Sequence, residues 1–150
     1  MSQREQRPSM KSQASISVAF VVQRYGLEVS GGAELHCRQV VEHLSSQFDI
    51  EVLTTCAEDY VTWENVYPSG LDLVNDVPVR RFPTARTREH EFGERSARLF
   101  GRPHTFQDEM DWLHAQGPVA PGLLEYIAEH HLSYDAFVFF TYIYYPTALG

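Results

Sequence analysis

The sequence predicts an α/β fold, an open and mostly parallel sheet with flanking helices, and three observations carry that expectation. "ISVAFVV" (Ile16–Val22) is a short, continuous, β-branched run of the kind buried on both faces of a parallel sheet. Behind it, Cys37, Val40, Val41, Leu44 and Phe48 fall on one face of a helix over Ala33–Gln47. "DIEVLTT" (Asp49–Thr55) then supplies a second strand. Strand, glycine-bearing loop, helix and strand make a βαβ unit, whose crossover is expected to be right-handed.

The later elements follow from similar signals. Asn75–Asp76 is a tight-turn pair between Leu71–Val74 and Val77–Phe82, which reads as a hairpin. Residues 57–77 have neither strand nor helix period and hold Tyr60, Trp63 and Tyr67, a long stretch for an idle connection. In the charged run that follows, Phe92, Leu99 and Phe100 have helical spacing, with Gly101 as a stop. Thr105 with Asp108 forms a capping-box start for a helix that turns Phe106, Met110 and Leu113 inward. Pro118 and Pro121 open another helix, whose inner face takes Ala120, Leu123, Leu124, Ile127, Ala128 and His131. "DAFVFFTY" (Asp135–Tyr142) is the last strand. The sheet stops before a doubly wound arrangement is complete, so the chain reads as a fragment.

With 150 residues and 2 Trp, 8 Tyr and 9 Phe, the chain can build one domain with a true core, assigned to residues 16–150. Residues 1–15 are polar, lack the apolar centre of a signal peptide and read as a flexible tail. A net charge of -8 argues against nucleic acid as a partner. No apolar run is long enough for a membrane helix. The two cysteines, Cys37 and Cys56, sit in apolar surroundings without a ligand spacing and read as buried free thiols, in keeping with the cytoplasm.

Chemistry is expected outside the carboxyl ends of the strands, where open α/β sheets bind ligands. Gly31 and Gly32 precede a helix N-terminus, whose free N–H groups and positive dipole end suit a phosphate. "GGAE" is neither GxGxxG nor a P-loop, so a tight connection and a ligand loop are equally good readings of it. The 7 histidines are scattered and include no HExxH, no metal site is expected, and surface or structural roles fit them better. Of Arg80 and Arg81, which alternate across a strand, at most one can face a ligand; an edge-strand charge is the plainer reading. Tyr142, Tyr144 and Tyr145 suit either stacking on a sugar or packing in the core. The residues alone name no catalytic group.

Taken in order, "GGAELHCRQVVEHL", "EVLTTCAEDYVTWENVYPSG", "VPVRRFP" and "DAFVFFTYIYYPT" resemble the N-terminal domain of a family 4 glycosyltransferase of the GT-B fold. The resemblance spans about Ser17–Gly150. It implies a Rossmann-like, acceptor-side domain of a retaining enzyme that moves a sugar from a nucleotide-sugar to a glycan or other acceptor, in cell-surface polysaccharide synthesis. It further implies a cytoplasmic protein, or one peripheral to the inner face of the membrane, with no cofactor beyond the nucleotide-sugar donor. A C-terminal domain, absent from this sequence, would hold most of the donor, so the present chain alone is expected to be inactive. Gly31 and Gly32 match the diphosphate-facing loop, while Glu34, Tyr60, Trp63, Thr141 and Tyr142 become acceptor-side candidates. Many members carry a His just after the strand that matches Asp135–Phe140; here the stretch reads Phe140, Thr141, Tyr142. The alternatives are a non-catalytic module that binds a glycan or protein, and a dinucleotide enzyme, which the missing GxGxxG disfavours.

Overall fold

The computed structural model describes residues 15–150, so the tail expected over residues 1–15 falls outside the described residues except at Ser15. In chain order the elements are β1 (Ser17–Val21), α1 (Gly32–Leu44), β2 (Asp49–Thr55), β3 (Gly70–Val74), β4 (Val77–Phe82), α2 (Phe92–Phe100), α3 (Phe106–Gln116), α4 (Pro121–His130), β5 (Ala136–Phe139) and α5 (Tyr145–Leu149). A single 3₁₀ turn, His131–Ser133, joins α4 to the approach of β5.

The five strands form one sheet in the order β3-β4-β2-β1-β5. β1 pairs in parallel with both β2 and β5, and β2 in parallel with β4; only β3 runs antiparallel, as the hairpin partner of β4. Asn75 and Asp76 turn that hairpin with φ of 50° and 63°, the left-handed values that such a two-residue turn requires.

The continuous apolar reading of β1 has a plain structural cause. Val18, Phe20 and Val22 pack on one side with Cys37 and Val41 of α1, whereas Ala19 and Val21 face Leu123 and Ile127 of α4 on the other. With helices on both faces, β1 has no solvent side and shows no alternation. The sheet is thus a Rossmann-like, doubly covered α/β layer.

Several expectations need correction. The first helix spans Gly32–Leu44 rather than Ala33–Gln47, and the last strand ends at Phe139 rather than Tyr142. β4 is an interior strand, so Arg80 and Arg81 are not edge charges: Arg80 donates to Glu51 at 2.8 Å and Arg81 is buried, donating to the Tyr25 carbonyl at 2.6 Å. Phe106 is 75% exposed, although α3 packs on α2 and α5. Ala128 and His131 also face solvent, and Pro118 lies outside α4, which begins at Pro121. Thr105 does form the capping box, its hydroxyl and backbone exchanging bonds with Asp108. Among the described residues no helix is long and apolar enough to cross a membrane.

Both cysteines are buried and unpaired with each other. Desolvation pushes the Cys37 thiol up to about 12, with Glu34 adding to the effect, and desolvation also raises Cys56 despite nearby Arg81. Raised values keep both thiols protonated at neutral and mildly alkaline pH, so neither is a nucleophile in the native state. A disulfide-exchange reagent at pH 8 is therefore expected to titrate no thiol in the native protein. It should titrate both in urea.

Candidate functional site

The strand order fixes where a ligand crevice can form. From β1 the chain winds through β2 and β4 to one side, then returns to place β5 on the opposite side of β1. The loops that leave β1 and β5 therefore diverge, and in open α/β sheets the gap between such loops is the usual binding crevice. Backbone bonds from Val22 to Leu53, Phe140 to Val21 and Cys56 to Phe82 keep the ends of β1, β2, β4 and β5 level. The loop with Gly31 and Gly32 leaves β1 at this gap, and Thr141 leaves β5 at it.

The two glycines do different things. Gly31 is the N-cap of α1 and is followed by a helix with no side-chain cap. A Cβ on Gly31 would collide with the Glu34 carboxylate and sit 3.0 Å from Nη2 of Arg24, so glycine is needed there for packing. Gly32, by contrast, is exposed and a Cβ on it would meet nothing within 4 Å. The space in front of the first helical turn is open on the Gly32 side, and its orphan N–H groups have the dipole behind them. Leu35 is the first residue of the helix to find a carbonyl, that of Gly31 at 2.9 Å.

Glu34 is not presented to solvent as a free acid. It is buried, and its Oε1 accepts from Gln23 Nε2 at 2.9 Å, from Arg24 Nε at 2.9 Å and from Arg24 Nη2 at 2.5 Å. Arg24 donates further to the carbonyls of Ser30 and Glu58, at 3.2 and 2.8 Å. Thr141 Oγ1 donates to Gln23 Oε1 at 3.2 Å, and Thr55 Oγ1 to the Gln23 carbonyl at 2.6 Å. One chain of polar contacts thus ties together the ends of β1, β2 and β5 and the start of α1. Thr141 holds φ of 68°, a left-handed value that is rare for a β-branched residue. Such strain, on the order of 1–3 kcal/mol, persists only where the surroundings enforce it, and it clusters at ligand sites.

The aromatic candidates separate by burial. Tyr60 is 53% and Tyr142 83% exposed, so both can stack on a ligand, and the Arg24 guanidinium lies 5.4 Å from the Tyr60 ring centroid. Trp63 is 1% exposed. It adopts φ of 60°, donates through Nε1 to the Gln116 carbonyl at 2.7 Å, and meets Tyr144 edge-on at 5.6 Å. Its role as an acceptor-facing side chain gives way to a structural one: it anchors the 57–69 loop to the end of α3. Tyr145 is buried as well, and His36 packs edge-on against Phe140 at 5.6 Å.

No family model, no curated protein and no solved structure matches the chain. The geometry alone therefore carries the functional reading.

Sequence reasoning missed two arginines. Arg24 sits between an apolar strand and a glycine loop, where a lone charge reads as surface. Arg88 lies in the run "RTREHEFGERSARLFGR", where nothing separates it from its neighbours. In the structure Arg88 is partly buried and its guanidinium lies over two aromatic rings, 4.8 Å from the centroid of Trp63 and 4.9 Å from that of Phe92. The only signal in the sequence was the nearness of aromatics on both sides of it. Among the described residues no group of three His, Cys, Asp or Glu side chains is placed to hold a metal ion.

Replacing one member of a buried ion pair leaves the other charge uncompensated, at a cost of about 3–5 kcal/mol. Arg24→Met is expected to lower stability by that amount in urea titrations. Gly31→Ala should cost about 1–3 kcal/mol through the clash with Glu34. Gly32→Ala, with open space around it, should change stability by less than about 0.5 kcal/mol.

Proposed function

We propose that this chain forms the acceptor-side domain of a retaining, nucleotide-sugar-dependent glycosyltransferase of the GT-B type. The observation that carries the reading is the bare N-terminus of α1, opened by Gly32 and aimed at the crevice between the ends of β1 and β5. In sugar transfer the donor's nucleoside diphosphate departs with growing negative charge. Fixed N–H dipoles at a helix end stabilise such charge without rearranging, which is where electrostatic catalysis gains most. Arg24 is neutralised by Glu34 and does not itself meet the diphosphate; the pair holds the loop so that the N–H groups stay pointed at it.

The surroundings support a sugar as the second partner. Exposed Tyr60 and Tyr142 offer apolar faces beside polar groups, the usual composition of a saccharide subsite. Two buried thiols that form no disulfide fit a protein that works in a reducing compartment. The donor's base and ribose would be held by a second domain of the whole enzyme, with this chain supplying the diphosphate lip and the acceptor platform. A dinucleotide enzyme is disfavoured by the same loop, since it lacks the GxGxxG pattern and Glu34 is already used by Gln23 and Arg24.

The decisive experiment uses the full-length gene product with a panel of labelled nucleotide-sugars, following release of the nucleoside diphosphate and the anomeric configuration of the product. Transfer with retention is expected. Gly32→Val should reduce turnover about a hundredfold or more, because its side chain would stand where the diphosphate approaches the N–H groups, a loss comparable to that of one oxyanion-stabilising donor, while the melting temperature stays unchanged. Full activity in that variant would overturn the reading.

A further inference from the structure

Arg88 is held in place and yet leaves most of its hydrogen-bonding capacity unspent. Its backbone N–H donates to the Thr62 carbonyl at 2.7 Å, stitching it to the loop that follows β2. Its Nε donates at 3.2 Å to the Gln116 carbonyl, the same oxygen that accepts from Trp63 Nε1. The guanidinium carbon also lies over the rings of Trp63 and Phe92, 4.8 and 4.9 Å from their centroids. Cation–π contacts of this kind hold a guanidinium in place without using its N–H donors. Neither terminal nitrogen has a partner among the described residues, and no carboxylate there lies within ion-pairing distance of Arg88.

Its neighbours are otherwise engaged. Asp59 accepts from the Thr62 backbone and hydroxyl at 2.7 and 2.8 Å. Glu89 pairs with Arg95 at 3.1 Å. Arg24 is consumed by Glu34, Ser30 and Glu58. Desolvation makes the charged form of Arg88 less favourable than in water, so it gains from an incoming anion more than a surface arginine would. The guanidinium lines an open depression of about 530 Å³ together with Thr62, Thr87, Phe92 and Gly93, a space suited to one sugar ring. Glu64 and Glu89 also line it, which disfavours a polyanion such as nucleic acid and favours a ligand with a single anionic group.

We propose that Arg88 anchors an anionic saccharide, whose carboxylate or phosphate oxygens take the free edge of the guanidinium while the ring lies against Phe92. This rests on the acceptor-side reading above and deepens it: the acceptor is a charged glycan, and Arg88 is its specificity-determining residue. Planar bidentate pairing makes lysine a poor substitute.

The test titrates glucuronic acid, glucose 6-phosphate and glucose into the isotope-labelled full chain. The readouts are the Arg88 side-chain and Trp63 indole resonances. At least one anionic sugar should shift both signals saturably while glucose does not, and the arm that binds more tightly tells carboxylate from phosphate. Arg88→Gln should weaken binding at least tenfold, and Arg88→Lys should restore it only in part. The Trp63 indole signal and the melting temperature report whether each variant is folded. No binding by either anion, equal binding of glucose, or undiminished binding by a folded Arg88→Gln would each overturn the proposal. Sugar transfer without anionic-sugar binding would sink this inference alone. Binding without transfer would sink the transferase reading and leave Arg88 as an anion site.

Discussion

Arg24 and Glu34 meet inside the protein at the carboxyl edge of the sheet, and the orientation of nearly every group around the crevice depends on that contact. Burial of two full charges is costly, and only close geometry with further hydrogen bonds offsets it. Here the offset comes from four separate segments: Gln23 from the end of β1, the Ser30 carbonyl from the glycine loop, the Glu58 carbonyl from beyond β2, and Thr141 through Gln23 from beyond β5. None of these loops can shift alone without leaving a buried polar group unpaired. That interdependence holds the α1 terminus in one position although the glycine loop itself has little packing of its own.

The same contact explains the pair of glycines better than backbone freedom does. Gly31 has an extended backbone that other residues also adopt, so conformation does not demand glycine there. What demands it is the carboxylate of Glu34, folded back against the Gly31 Cα. Gly32 has no such neighbour, and its lack of a side chain has no consequence for packing. Adjacent residues of the same type thus answer to different pressures, one to the interior of the site and one to whatever approaches from outside.

Much of the fold was legible because its signals are local. An unbroken β-branched run marks β1 as covered on both faces, the spacing of Cys37, Val41 and Leu44 marks α1, Asn75–Asp76 marks the hairpin, and Thr105 with Asp108 marks the start of α3. Inward faces near helix ends were less legible. The phase of α3 places Phe106 with Met110 and Leu113, yet burial of Phe106 needs a neighbouring element over that first turn, and among the described residues it stays 75% exposed. At the site, the glycine loop could be read from its position behind a strand. Glu34 and Trp63 were expected on the acceptor side and are instead spent on contacts within the protein, and Arg88 was passed over, because the deciding partners are set by the fold: Trp63 and Gln116 are 53 residues apart. Charge and aromaticity are visible in a string of letters, whereas which charge is spent and which ring is covered is decided by long-range contacts.

That distinction separates the three arginines near the crevice. Arg24 has all three guanidinium nitrogens engaged and serves as a brace. Arg81 is buried, giving a bond to the Tyr25 carbonyl, lying 4.1 Å from the Tyr67 ring centroid and 3.7 Å from the Asp72 carboxylate, which compensates its charge. Arg88 is fixed as firmly as either, by two rings and a carbonyl, but its terminal nitrogens face an open depression. Ordering a long side chain costs up to about 2 kcal/mol of rotamer freedom. In Arg24 and Arg81 that cost is offset by contacts within the protein. In Arg88 the stacking contacts meet it beforehand, which leaves the guanidinium edge pre-organised for an anion from outside.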